Sequence, residues 1–149
     1  MKKQLRLYNV LFPVWFLMLL PQLWLIILPG NFLIDSIVLL IAMHFLQIQD
    51  MKTLYKRKIL PIFLYGLLAD VIGALFLFGM LLLEVGTMGD ELYITIPGML
   101  ISAGMIFVFH YFRIFRNEEK SLRLRLALTY TIATAPYTFL IPSRWIYGF

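Results

Sequence analysis

Cysteine is absent from the 149 residues of the chain, so disulfides, thiolate catalysis and cysteine-ligated zinc or iron–sulfur centres are excluded. Charge is also scarce, because Asp, Glu, Lys and Arg make up 14% of the chain, whereas a soluble domain contains about a quarter. Hydrophobic residues reach 62%, which indicates lipid rather than water as the surrounding solvent. The sequence therefore predicts an integral membrane protein.

Recognisable catalytic motifs are missing as well. The sequence contains no G-x-S-x-G, no H-E-x-x-H, no phosphate-binding glycine-rich loop and no dinucleotide fingerprint. His44 and His110 have no carboxylates at ligand spacing, so hydrogen bonding near helix ends is favoured for them over a metal pair or a pH switch. We therefore expect no enzyme activity, no cofactor and no metal site.

Five apolar runs are long enough to cross a hydrocarbon core, which takes about 20 residues of helix. A transmembrane barrel is excluded, because its strands would alternate apolar and polar residues. The dipeptide Pro29-Gly30 predicts a tight turn that joins the first two spans as a hairpin, and Pro136 is expected to bend the last span. The prediction is a single all-α domain, residues 1–149, that forms a bundle of five transmembrane helices at about 7–28, 31–48, 59–83, 92–112 and 124–142.

The segments between the five predicted spans alternate in charge: those rich in Lys and Arg fall on one side of the membrane, and those poor in them fall on the other. Cytoplasmic segments of membrane proteins carry an excess of Lys and Arg, which predicts a cytoplasmic N-terminus and a C-terminus outside. Topology then explains the net charge of +5 without nucleic acid, and anionic lipid headgroups are the expected partners of the basic loops. The cations predicted to be cytoplasmic are Lys2, Lys3, Arg6, Lys52, Lys56, Arg57, Lys58, Arg113, Arg116, Lys120, Arg123 and Arg125.

Asp70 lies inside the apolar run LLADVIGALF, about 16 Å into its span and so near the midplane. A charged Asp there costs about 2.5–3.5 kcal/mol, so the side chain should face protein or water. Gly66 and Gly73 share its helix face and permit close approach of another helix. Packing by a neutral, hydrogen-bonded Asp70 is favoured over a protonatable site in an ion or substrate pathway. Asp35 is expected to differ from it in depth by roughly 10–15 Å, too far to form an acid–base pair.

Other polar side chains are candidates for contacts between helices. Ser102 and Thr134 fall near the midplane of the fourth and fifth spans and predict a structural cluster of hydroxyl groups. Gln22 and Asp35 are expected to meet across the hairpin of the first two spans. Asn31 follows glycine, so it is expected to cap the second helix.

Three stretches share a pattern with a known family. They are LPGNFLIDSIVLL, the basic segment KTLYKRK and YGLLADVIGA, which together extend over about residues 29–78. In this region the chain resembles the rod-shape-determining MreD membrane proteins, which are small multi-span subunits of bacterial wall-elongation machinery. The resemblance implies a noncatalytic subunit in a bacterial cell membrane.

Two functions are consistent with these features. The favoured one is a noncatalytic subunit or scaffold of a membrane-associated complex, and the resemblance implies cell-envelope or cell-shape machinery as its setting. The alternative is a small oligomeric transporter or channel with Asp70 as a protonatable pathway residue. In both cases the expected partners are the lipid bilayer and either a second protein or further copies of the chain.

Overall fold

The computed structural model describes residues 20–83 and 92–141, and all regular structure within these ranges is helical. The all-α prediction is therefore confirmed for this part of the chain. Short turns flank the main helices: a 3₁₀ turn (Pro21–Leu23) before the first, a π-helical turn (His110–Ile114) after the third and a second 3₁₀ turn (Tyr137–Leu140) after the fourth. The four α-helices are α1 (Trp24–Phe45), α2 (Met51–Leu82), α3 (Leu92–Phe109) and α4 (Lys120–Thr134).

Within residues 20–83 and 92–141, three segments are long and apolar enough to cross a membrane. They are Pro21–Phe45, Met51–Leu82 and Leu92–Ile114. α4 is too short, since its 15 residues extend over only about 22 Å. The predicted span at 7–28 lies mostly outside the described residues, as do the acidic connection after α2 and the C-terminal segment from residue 142.

α1 runs without a break through Pro29 and Gly30, so the predicted turn between the first two spans is wrong. Pro29 removes one amide donor from the helix, whereas a turn would leave four carbonyls and four amides without helical partners. In an apolar setting the single lost bond is the smaller penalty. Gly30 meets no tight contact, because a Cβ placed there would have no atom within 4 Å.

The connection between α1 and α2 is a short polar turn. Its first part is a Schellman motif, in which Gln47 adopts a left-handed φ of 52° and the amides of Gln47 and Ile48 donate to α1 carbonyls at 3.1 Å. The Asp50 side chain then caps α2 by accepting from the Thr53 amide at 3.4 Å. The basic stretch KTLYKRK, predicted as a loop, forms the first turns of α2.

The two basic segments of the chain meet at one end of the fold. Lys58 is only 7% exposed, and its ammonium group donates to the carbonyl of Ile114 in the π-helical turn. The carboxylate of Glu118 lies 3.9 Å from the same nitrogen. The Arg123 guanidinium lies 4.2 Å from the centre of the Tyr111 ring and donates to its hydroxyl at 3.0 Å. The beginnings of α2 and α4 therefore form a common basic end.

α4 ends at Thr134, two residues before Pro136, and does not continue to residue 142 with a bend as predicted. Proline lacks an amide and disfavours helical geometry in the residue before it, and Ala135 accordingly has a ψ of 142°. The chain then turns through Tyr137–Leu140, where Phe139 is buried. This exit from the helix brings residues 135–138 to the site described below.

Helix packing produces two apolar clusters. α2 packs against α3 and α1, and α4 lies against α1 and α3. Along α2, Asp70 falls between the residues of the larger cluster and those of the smaller one. Members of the larger cluster include Leu39, Met43, Ile62, Ile106, Phe115, Leu126 and Tyr130, and the smaller consists of Ala74, Leu77 and Phe139.

Candidate functional site: a cavity with two carboxylates

A cavity of about 240 Å³ lies between α1, α2 and the end of α4, with contributions from Ile106 of α3. Both Asp35 and Asp70 line it. Its size suits several water molecules or a small hydrated ion, and its walls are mainly apolar around the two carboxyl groups. The remaining lining residues are Asn31 and Ile34 from α1, Gly66 and Leu67 from α2, and residues 133–138 at the end of α4.

The expectation that depth separates Asp35 from Asp70 is wrong. It depended on a turn at Pro29, which would have placed Asp35 near the beginning of a helix. In the continuous α1, Asp35 lies near the middle, beside the middle of α2. Its Oδ2 atom is 3.8 Å from the position that a Cβ of residue 66 would occupy, and Asp70 follows Gly66 by one helical turn on the same face. The two carboxylates therefore share one site.

Asp70 is held from the α3 side by a hydrogen bond. The Ser102 hydroxyl donates to Oδ1 of Asp70 at 2.8 Å, and the exposed fractions of the two residues are 0% and 9%. Small residues make this approach possible. A Cβ at Gly73 would lie 2.9 Å from the Ser102 Cβ and 3.1 Å from the Gly98 carbonyl oxygen. The depth match that made Ser102 a candidate in the sequence corresponds here to a direct contact with Asp70.

Asp35 has a different environment. The residue is 7% exposed, and its carboxylate accepts no hydrogen bond from the described part of the chain. Its backbone carbonyl accepts a hydrogen bond from the Tyr130 hydroxyl at 3.0 Å. Burial of the Tyr130 ring and, secondly, the nearby Asp35 carboxylate raise the pKa of the Tyr130 phenol, so it remains a protonated donor. His110 stacks on the same ring with centroids 4.7 Å apart.

The other sequence-predicted polar residues divide between the cavity and the exterior. Thr134 lines the cavity, but its hydroxyl donates to the Tyr130 carbonyl of its own helix at 2.8 Å. Asn31 also lines the cavity, within α1, so its predicted role as a helix cap is wrong. Gln22 is exposed in the turn before α1, roughly 20 Å along the axis from Asp35. The predicted contact of Gln22 with Asp35 is therefore wrong.

The sequence interpretation missed Tyr130 and the residues that follow α4. Nothing in the spacing of Tyr130 distinguishes it from an ordinary core aromatic residue. The sequence did contain a signal for the residues that follow α4. Pro136 stands in the polar stretch ATAPYT, and such a stretch is as consistent with the end of a helix as with a bend in one. Residues 135–138 supply the third wall of the cavity.

The cavity combines two carboxyl groups with the end of a helix. No Lys, Arg or His side chain of the described residues lines it, so the two carboxyl groups have no cationic partner among them. α4 ends beside the cavity, and the C-terminal end of a helix carries a partial negative charge. Within the described ranges, no three His, Cys, Asp or Glu side chains come together as a potential metal centre. The arrangement can therefore attract a cation or hold a proton.

Comparison with known proteins adds no relative. No family model matches the sequence, and neither a curated protein nor a solved structure matches the chain. Function is accordingly argued from the cavity itself.

Proposed function

We propose that the chain is a small multi-span protein of the cell membrane, in a bacterium as the MreD resemblance implies. It acts as an oligomeric transporter or channel, with Asp35 and Asp70 in its pathway. One observation carries this proposal: two carboxylates from different helices share a cavity, and no cationic side chain of the described residues lines it. Ionisable side chains within membrane spans are costly and mark ion or substrate pathways.

The proposed orientation puts the common basic end in the cytoplasm. Support comes from the contact of Lys58 with Ile114 and Glu118, because it places both positively charged segments on one side of the three candidate spans. This is the distribution that the positive-inside rule requires. Anionic headgroups on that side would neutralise the basic end. The sides predicted for the two termini depended on a five-span bundle, and α4 is too short for the last of those crossings.

Cysteine labelling tests this orientation, since the natural chain offers a cysteine-free background. A membrane-impermeant maleimide added to intact cells should label Thr87→Cys. It should label Ser121→Cys only after the membrane is permeabilised. Labelling of Ser121→Cys in intact cells, or protection of Thr87→Cys until permeabilisation, contradicts the orientation.

Reconstitution tests the transport function. Full-length protein in liposomes should dissipate an imposed proton or cation gradient faster than protein-free vesicles, followed with a trapped pH-sensitive dye. Asp70→Asn should fold and lose this flux, because an amide neither carries the charge nor exchanges the proton. Asp50→Asn is the matched control, since Asp50 is exposed outside the cavity and Asn also caps helices. Wild-type flux equal to that of empty vesicles would rule out the proposal.

A noncatalytic subunit or scaffold of a cell-envelope complex is the second candidate function. The hydrogen bond between Ser102 and Asp70, beside the close contact of Gly73 with Gly98, favours it because these contacts give Asp70 a packing role. Asp70→Asn would then preserve assembly and activity, whereas Asp70→Leu would remove the hydrogen bond and reduce stability. Gentle detergent extraction separates the candidates: a defined multiprotein complex supports the subunit, and a homo-oligomer with flux supports the transporter.

A further inference from the structure

We infer that the cavity between Asp35 and Asp70 is a binding site for a hard, oxygen-preferring cation. This inference rests on the proposed transport function and names the class of its substrate. The cation would lie between the two carboxylates and balance their charge.

The unused hydrogen-bonding capacity of Asp35 is the first argument. Asp35 is 7% exposed and lines the cavity, and its carboxylate accepts no hydrogen bond from the described residues. A buried carboxylate that lacks a partner is strongly unfavourable. Asp70 has one donor, Ser102, on Oδ1. A cation between them supplies the missing partner to both.

The chemistry of the lining is the second argument. The polar side chains among its lining residues carry oxygen: two carboxylates, the amide of Asn31 and the hydroxyls of Thr134, Tyr137 and Thr138. The Thr134 and Tyr137 hydroxyls donate to carbonyls of α4 and keep only their lone pairs for a ligand, so the carboxylates are the main donors. Oxygen sites of this kind suit hard cations such as Na⁺, K⁺, Mg²⁺ and Ca²⁺, whereas copper, zinc and other softer metals select imidazole or sulfur, and no His, Cys or Met of the described residues lines the cavity.

The end of α4 is the third argument. Pro136 prevents the helix from continuing, so its last turn terminates at the cavity, where Ala133 and Thr134 form part of the wall. The Tyr130 and Ile132 carbonyls of this turn accept hydrogen bonds from the Thr134 and Tyr137 hydroxyls, so the contribution of the helix end is its negative dipole. This dipole favours a cation beside the carboxylates.

The buried cation of the described fold is already engaged elsewhere. Lys58 is buried, but its ammonium group binds the Ile114 carbonyl at the basic end and lies 3.9 Å from Glu118. Only two carboxylates line the cavity, and they fall short of a three-ligand acidic or histidine cluster. The site therefore suits an exchangeable ion better than a permanently held metal.

Thermal unfolding of the purified full chain in detergent tests the inference. The reference buffer contains N-methyl-D-glucamine, and NaCl, KCl, MgCl₂ or CaCl₂ replaces it at constant ionic strength. At least one of these cations should raise Tm in a saturable way, because a ligand of the native state stabilises it. Asp35→Asn and Asp70→Asn should weaken the apparent affinity by about tenfold or more, as loss of a ligand partner does at metal sites. Asp50→Asn should respond like wild type.

A wild-type Tm that is independent of cation identity overturns the inference, and so does an undiminished shift in both cavity variants. If these variants fail to fold, equilibrium binding of ²²Na⁺ and ⁴⁵Ca²⁺ to the wild-type chain decides, and the absence of saturable, competable binding by either overturns it. The two proposals fail separately. Saturable binding without flux in liposomes rejects the transport function but keeps the site, whereas flux without saturable binding rejects the site.

Discussion

Gly66 and Gly73 lie seven residues apart on the same face of α2, and their surroundings differ. At Gly73 a Cβ would lie 2.9 Å from Ser102, 3.0 Å from Phe139 and 3.1 Å from the backbone of α3. At Gly66 its only neighbour within 4 Å would be the Asp35 carboxylate oxygen, at an ordinary 3.8 Å. One glycine permits close helix packing, and the other borders open space. A stripe of small residues in a membrane helix therefore does not by itself identify a packed interface.

Buried charges show the same contrast. Lys58 is surrounded by partners, namely the Ile114 carbonyl and the Glu118 carboxylate, with the Phe115 ring 5.9 Å away. Asp35 is equally buried, but its carboxylate faces a cavity. A charge that is fully engaged stabilises a fold, whereas a charge left without partners is available to a ligand. Three substitutions test these differences between the packed and the open side of the fold.

The largest effect is expected from Gly73→Ala. The added methyl group would collide with Ser102 and with the backbone of α3, so we expect a loss of about 2–3 kcal/mol, the upper part of the usual range for overpacking. Gly66→Ala is the matched control: its added methyl group meets no clash, and a helical Gly→Ala change removes about 0.5–1 kcal/mol of entropic cost, so stability should stay the same or rise. Unfolding of the two variants in the same detergent measures the difference. Equal losses of stability in the two variants would mean that Gly66 and Gly73 on this face of α2 are packed equally closely.

An intermediate effect is expected from Lys58→Met. The substitution preserves the apolar stem but leaves the buried Ile114 carbonyl without its donor, which should lower stability by about 1–2 kcal/mol. Lys56→Met, at an exposed position two residues earlier, removes the same charge and should be nearly neutral. If both variants have the free energy of unfolding of the wild type, the buried Lys58 amine contributes nothing to stability. The proposed difference between Lys58 and Asp35 is then contradicted.

The smallest effect is expected from Ser102→Ala. It removes the hydroxyl that donates to Asp70, and hydrogen bonds between membrane helices average about 0.6 kcal/mol. Cation-dependent stabilisation should persist in this variant because both carboxylates remain. A loss above the Gly73→Ala value would show that the Ser102–Asp70 contact dominates the interface between α2 and α3.

Sequence reasoning succeeded where length and hydropathy decide the structure. The apolar run at 92–112 corresponds closely to α3 with its π-helical extension, and the run at 59–83 corresponds to the part of α2 that follows its basic first turns. Counting residues along each span also placed Ser102 and Asp70 at the same depth, near the midplane. These properties depend on one-dimensional pattern, which a single sequence contains.

The errors arose at residues whose structural preference differs between water and an apolar environment. Pro29-Gly30 is a strong turn signal in water, where freed amides and carbonyls bind solvent, but α1 retains its helix through both residues. This one error displaced Asp35 along its helix and concealed its proximity to Asp70. The wall formed by residues 135–138 depends on how the chain returns after Pro136, a tertiary feature that no local pattern specifies.

The hydrogen bond from Tyr130 to the Asp35 backbone has a mechanical consequence. The Tyr130 ring is fully buried and stacked on His110, which belongs to the π-helical turn whose last carbonyl binds Lys58. Stacked rings and two hydrogen bonds thus join the basic end to the helix that carries Asp35, so the two regions are mechanically connected.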